Sequence, residues 1–182
     1  MLKSILLLVV LLTSQNVLSE NNNGDNEDCG FNEKAKKLAR LIINDAQQNR
    51  KRLVCNRKLS AIAAAKVKEM AKIKRVRHRM SNRLLIDAGY PLAKIYPRGL
   101  ENNVEALAGG ISSPEAMWES FKNSKGHRMH LLAEHEFYMQ QDEIGVGFIS
   151  DPKTPHVEYW AVYVAHTEKE QKYLGEIAKS KN

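Results

Sequence analysis

Three histidines, His127, His130 and His135, fall close together in the second half of the chain, and the first sits in the turn-forming run Asn123-Ser124-Lys125-Gly126-His127-Arg128. Ser124 and His127 could be written as a nucleophile and its base. That spacing in a turn seldom brings a hydroxyl to an imidazole, however, and no Gly-x-Ser-x-Gly elbow occurs anywhere in the sequence. His127 and His130, three apart, can share a helix face. The run His135-Glu136-Phe137-Tyr138-Met139 begins like a zinc-protease helix, but Met139 stands where the second histidine ligand is required, which excludes a zincin. His130 and His135 therefore read as surface or supporting residues.

Around this turn stand Glu101-Asn102-Asn103-Val104 and Ser113-Pro114-Glu115 upstream, and Glu143-Ile144-Gly145-Val146-Gly147-Phe148 downstream. In that order the segments resemble the CAP superfamily (cysteine-rich secretory proteins, antigen 5 and pathogenesis-related proteins), most closely its bacterial SCP-domain branch. The resemblance covers residues 33–166. It implies an α+β fold, a CAP-type α-β-α sandwich with a central antiparallel sheet. It also implies a cleft in which two histidines and up to two glutamates from separate segments meet. His78 matches the first histidine, in a context completed by Arg83-Leu84 and Ala88-Gly89-Tyr90, and His127 matches the second. Glu101 matches the glutamate of the family's Gly-Glu-Asn segment, with Leu100 intervening after Gly99, and Glu105 is the competing alignment. Ser124 takes the place of the second glutamate, so the acidic tetrad is incomplete. The cleft so implied is lined by His78, Glu101, Ser124 and His127, with His78, Glu101 and His127 as the candidate catalytic groups.

Two imidazoles and a carboxylate can hold a divalent metal such as zinc, here through His78 and His127. They can also act as general acid and base near neutral pH, or simply brace the loops that carry them. Three functions follow. The first is a protein whose cleft binds a ligand or divalent metal, the resemblance allowing a small apolar molecule or lipid. The second is a hydrolase acting on peptides or envelope polymers. The third is a module that attaches to anionic cell-envelope polymer through its basic helices.

The ends of the chain set the compartment. Lys3, the apolar run Ile5 to Leu12 and the close Val17-Leu18-Ser19 read as a secretory signal over residues 1–19, too short in its apolar part to span a membrane. Residues 20–28 hold no apolar residue and read as a disordered leader. Residues 29–168 are the expected CAP/SCP domain, and residues 169–182 a charged tail. A secreted or periplasmic monomer is expected, with no transmembrane segment after cleavage.

Of the 28 lysines and arginines only Lys3 lies in the signal, which leaves an excess of six over the 21 acids. That excess favours anionic partners. Much of it lies in Arg50-Lys51-Arg52 and in Lys72-Ile73-Lys74-Arg75-Val76-Arg77-His78-Arg79. Secretion and the lack of any zinc-finger or RNA-binding signature argue against nucleic acid. The two cysteines, Cys29 and Cys55, meet an oxidising compartment and are expected to pair, a closure worth about 3 kcal/mol or somewhat more.

Apolar spacing predicts helices over 33–49 and 58–74, with Asn32 as cap of the first, and a helical turn over 82–90 ended by Gly89 and Pro91. A strand is predicted over 103–107. Ser113-Pro114 opens a helix that should stop at Lys125-Gly126. Two late strands, 143–150 and 157–165, flank the turn residues Asp151 to Pro155 and should form an antiparallel hairpin.

Overall fold

The computed structural model describes residues 29–97 and 101–168. The expected signal, leader and charged tail lie outside these residues. Among them run helices α1 (Glu33–Ile43), α2 (Arg57–Ile73), α3 (Ser81–Asp87), α4 (Pro114–Asn123), α5 (Lys125–Leu131) and α6 (Glu136–Met139). The strands are β1 (Val54–Cys55), β2 (Glu105–Gly109), β3 (Glu143–Ser150) and β4 (Glu158–Ala165), arranged β1-β3-β4-β2. The chain is α+β, with helices covering both faces of a central sheet.

Strand β4 shows why there are three layers. Its side chains alternate, and neither set reaches water: Trp160, Val162 and Val164 join a core with α1, α4 and α5, whereas Tyr159, Ala161, Tyr163 and Ala165 join another with α2 and α3. A strand apolar on both sides must be covered on both sides. Strand β3 is antiparallel to β4 from Glu143↔Ala165 to Ser150↔Glu158, as a hairpin requires, and β2 is antiparallel to the other edge of β4. The sheet is not wholly antiparallel, because the two residues of β1 pair parallel to β3.

The glycines of β3 set how closely the second layer sits. A Cβ added at Gly145 would run into the backbone of Leu59 and Ser60, and one at Gly147 into the backbone of Ala63. Helix α2 therefore rests directly on the strand, and its small residues Ala63 and Ala64 allow the approach. Asn56 starts the helix by accepting from the backbone amides of Lys58 and Leu59, and Lys74 ends it in the left-handed region.

Three boundaries differ from the sequence expectation for local reasons. Helix α1 stops at Ile43 rather than Asn49 because Asp45 turns the chain, its carboxylate accepting from the amide of Gln47 at 2.8 Å. Strand β2 starts two residues later than expected because Asn102 holds a turn in which its side-chain oxygen accepts from the amide of Glu105 at 3.0 Å. The helix opened by Ser113-Pro114 stops at Asn123, just before the expected Lys125-Gly126, but a new helix follows where only a turn was expected. Ser124 takes an extended backbone for one residue, and α5 begins at once. The disulfide Cys29–Cys55 is formed, with Cα atoms 4.5 Å apart, and ties the entry to α1 to β1.

Candidate functional site

Glu105 is the first residue of β2, opposite Tyr163 of β4, and only 3% exposed. A carboxyl group this deep needs partners. The Ser81 hydroxyl at the start of α3 donates to its Oε1 at 2.8 Å, and the Tyr163 hydroxyl donates to its Oε2. Burial, and then the neighbouring Glu105, push the Tyr163 phenol well above its ordinary value, so it remains a donor. His78, in the loop between α2 and α3, places Nδ1 2.8 Å from the same Oε1.

Asn102 Nδ2 also lies 3.0 Å from His78 Nδ1, and it donates to the Glu105 carbonyl at 2.9 Å. An imidazole nitrogen cannot donate to a carboxylate and accept from an amide together. Because a carboxylate has no hydrogen to give, His78 Nδ1 carries the hydrogen and Glu105 accepts it. Nε2 is then the basic nitrogen of a ring whose side chain is 47% exposed.

His127 comes from α5 and packs its ring edge against Phe121, the centroids 4.9 Å apart. Its pKa is lowered below the usual 6.5 by burial, and further by the nearby His78, which favours the neutral ring at pH 7. His78, Asn102, Glu105, Ser124, His127 and His130 share the wall of one cavity of about 270 Å³. Two histidines some fifty residues apart in sequence thus meet at one place. Gly126 lies at the same wall, and a Cβ added there would meet nothing within 4 Å. Met129 and Tyr138 continue the wall into a groove that includes Asn103 and Phe137.

The structure separates the two carboxylates that the sequence left in competition. Glu101 is exposed and does not line the cavity; Glu105 is buried there and bonded to His78. Ser124 does line the cavity, at the break between α4 and α5. His135 caps α6, accepting from the Phe137 amide, and lines the adjoining groove. Of the two sequence readings of His130, surface or supporting, the first does not hold. His130 is 5% exposed rather than on the surface, and burial, reinforced by the Arg50 charge, pushes it down to about 3. Its i+3 spacing from His127 on one helix was the available signal.

The donor set fits a metal poorly. Both oxygens of Glu105 already accept hydrogen bonds, which leaves the imidazoles of His78, His127 and His130 as the donors at the cavity wall. Among the described residues no group of three or more His, Cys, Asp or Glu side chains is arranged to hold a metal ion. Structural zinc takes four ligands and catalytic zinc three from the protein.

No protein-family model matches the chain, and no curated protein matches it in sequence. Among solved structures it is similar to an outer surface protein from Borrelia burgdorferi, with a TM-score of 0.58 and 18% identity over 74% of this chain and 93% of that one. At that identity the likeness is one of fold. Among the described residues no helix is long and apolar enough to cross a membrane.

Proposed function

We propose that the protein is a secreted, envelope-exposed binding protein of the CAP/SCP type, whose cleft takes a small hydrogen-bonding ligand between His78 and His127. One observation carries this reading: His78 and His127, delivered by separate segments, share a cavity backed by the buried Glu105. The order of the segments, the disulfide and the fold likeness to a protein named for the outer surface all support it. Glu105 fixes the His78 tautomer, so Nε2 is an acceptor for a ligand hydroxyl or amide. A neutral His127 supplies one donor and one acceptor. The ligand is therefore a small polar molecule, or the polar end of a larger one, rather than an ion held by charge. Zinc fits less well because the carboxylate is already engaged.

Native mass spectrometry of protein recovered from its own envelope tests this. A bound small molecule is expected on the wild type and is expected to vanish in His127→Ala and in Gly126→Met, which places a flexible side chain at the cavity wall. Wild-type protein that emerges empty, or that carries the same molecule as Gly126→Met, would overturn the reading. Zinc titrated calorimetrically should give equal heats for wild type and for His78→Ala/His127→Ala.

A hydrolase is the second reading, favoured by the His78–Glu105 pair itself, which has the geometry of a base and its orienting carboxylate at 2.8 Å. Peptidoglycan or peptide cleavage abolished by His78→Ala would establish it. Cleavage that survives the substitution comes from elsewhere.

A further inference from the structure

The face of α2 turned towards α3 carries Ile62, Ala65 and Lys66, which with Met80, Leu84 and Ala88 line an open groove of about 550 Å³ whose wall also carries the charged residues Glu69, Arg79, Arg83 and Asp87. Sites of about 300–1,000 Å³ with a largely apolar lining and few polar groups are typical of bound organic ligands. Helical spacing extends this face beyond the groove: after residues 62, 65, 66 and 69 the next positions on the same side are 72 and 73. Ile73 is 45% exposed and Met80 40% exposed. Two large apolar side chains thus stand in water, Met80 in the groove wall and Ile73 one helical turn beyond Glu69 of that wall.

Charge surrounds them. Lys72, Lys74, Arg75, Arg77, Arg79 and Arg83 are all exposed, and no Asp or Glu occurs between Glu69 and Asp87. Arg83 pairs with Asp87 at 2.7 Å, whereas none of the ion pairs among the described residues involves Lys72, Lys74, Arg75, Arg77 or Arg79. Within the groove wall the Lys66 side chain is 1% exposed and pairs with Glu69 at 3.3 Å. A basic run alone is usually a solvated face. The apolar residues set into this one, and the groove beside it, combine apolar insertion with phosphate attraction, the two terms that hold a protein at an anionic membrane surface.

We propose that the α2–α3 face docks the protein on an anionic lipid bilayer, with Ile73 and Met80 entering the interface and the basic run lying against the lipid phosphates. The surface is separate from the cleft, although His78 belongs to the same loop and lines the cleft wall. Docking therefore holds the cleft close to the lipid.

The test is co-sedimentation of the chain from Glu20 onward, which keeps every described residue, with phosphatidylcholine vesicles with and without phosphatidylglycerol. Binding is expected only to the anionic vesicles and should weaken as salt rises. Lys72→Glu/Arg79→Glu should weaken it by more than tenfold, at about fivefold for each positive charge removed. Ile73→Ser/Met80→Ser should weaken it while leaving the salt dependence in place, and His127→Ala should leave it unchanged. All four substituted positions on the docking face are exposed, and thermal unfolding of each variant checks that the fold persists. The proposal is overturned if wild type ignores anionic vesicles or if the charge-reversal variant binds as wild type does. It is overturned equally if Ile73→Ser/Met80→Ser has no effect, which would make the surface a general polyanion site.

Discussion

Of the histidines that line the cleft, His130 is the most deeply buried, and the Arg50 guanidinium donates to its backbone carbonyl at 2.7 Å. Burial and that positive charge hold its pKa at about 3, far below the 6.5 of an exposed imidazole. Between those values the unfolded chain binds a proton that the folded one refuses, so stability falls as pH falls below about 6.5. His127, lowered by burial and by His78, adds to the same trend. Acidification from pH 7 to pH 5 should remove on the order of 2 kcal/mol through His130 alone. Urea midpoints at the two pH values check this, and His130→Asn should flatten the difference. An equal loss in both proteins would place the proton elsewhere. The same residue marks the limit of what the sequence discloses. His78 and His127 were legible from motifs, whereas the choice between Glu101 and Glu105 turned on the Asn102 side chain delaying β2. The burial of His130 was not legible, because a shared helix face with His127 does not say which residues of the sheet and of the loop before β1 will cover it.

At the scale of elements, the contact that positions the cleft is α2 against β3, since α2 leads into the loop that carries His78. The alternating glycines of β3 were visible as a strand pattern, but their purpose was not, because a pattern of period two does not say what lies above the gaps. Gly147→Ala would drive a methyl group into the Ala63 backbone. Helix backbone cannot move aside as a side chain can, so the cost should be about 3 kcal/mol or more, at the upper end of overpacking. Gly126→Ala, whose Cβ meets nothing, should cost no more than about 1 kcal/mol and serves as the control. Chemical unfolding of both variants measures the difference, and similar midpoints would show that α2 can lift from the sheet. The hairpin and the helix caps were legible because each is decided by neighbours in sequence. The two-residue parallel β1 was not, because only the disulfide and β3 define it.

For the whole molecule, the disulfide is the one covalent tie between the helix that opens the fold and the parallel edge of the sheet. Cys29 lies fully buried in the core shared by α1, α4 and α5, and Cys55 pairs with Ile144 at the sheet edge. Their separation of 26 residues closes α1 and the basic connection into one loop. Cross-linking a loop of that length removes denatured-state freedom worth about 3.5 kcal/mol. That is a large share of the roughly 5–15 kcal/mol that holds a domain folded. The cleft residues lie on α5, on β2 and in the loop after α2, outside the loop that the bridge closes, and α2 packs on β3 through its own small residues. Reduction should therefore lower the denaturant midpoint by an amount equivalent to about 3 kcal/mol while leaving the His127 imidazole resonances of the folded protein in place. Guanidinium unfolding with and without dithiothreitol, followed by histidine NMR, checks both halves. A midpoint that ignores the reductant would mean that the N-terminal segment is held by its apolar contacts alone. Shifted His127 resonances would mean that the loop closure reaches α5 through Arg50, which lies inside the closed loop and donates to the carbonyls of His130 and Leu131.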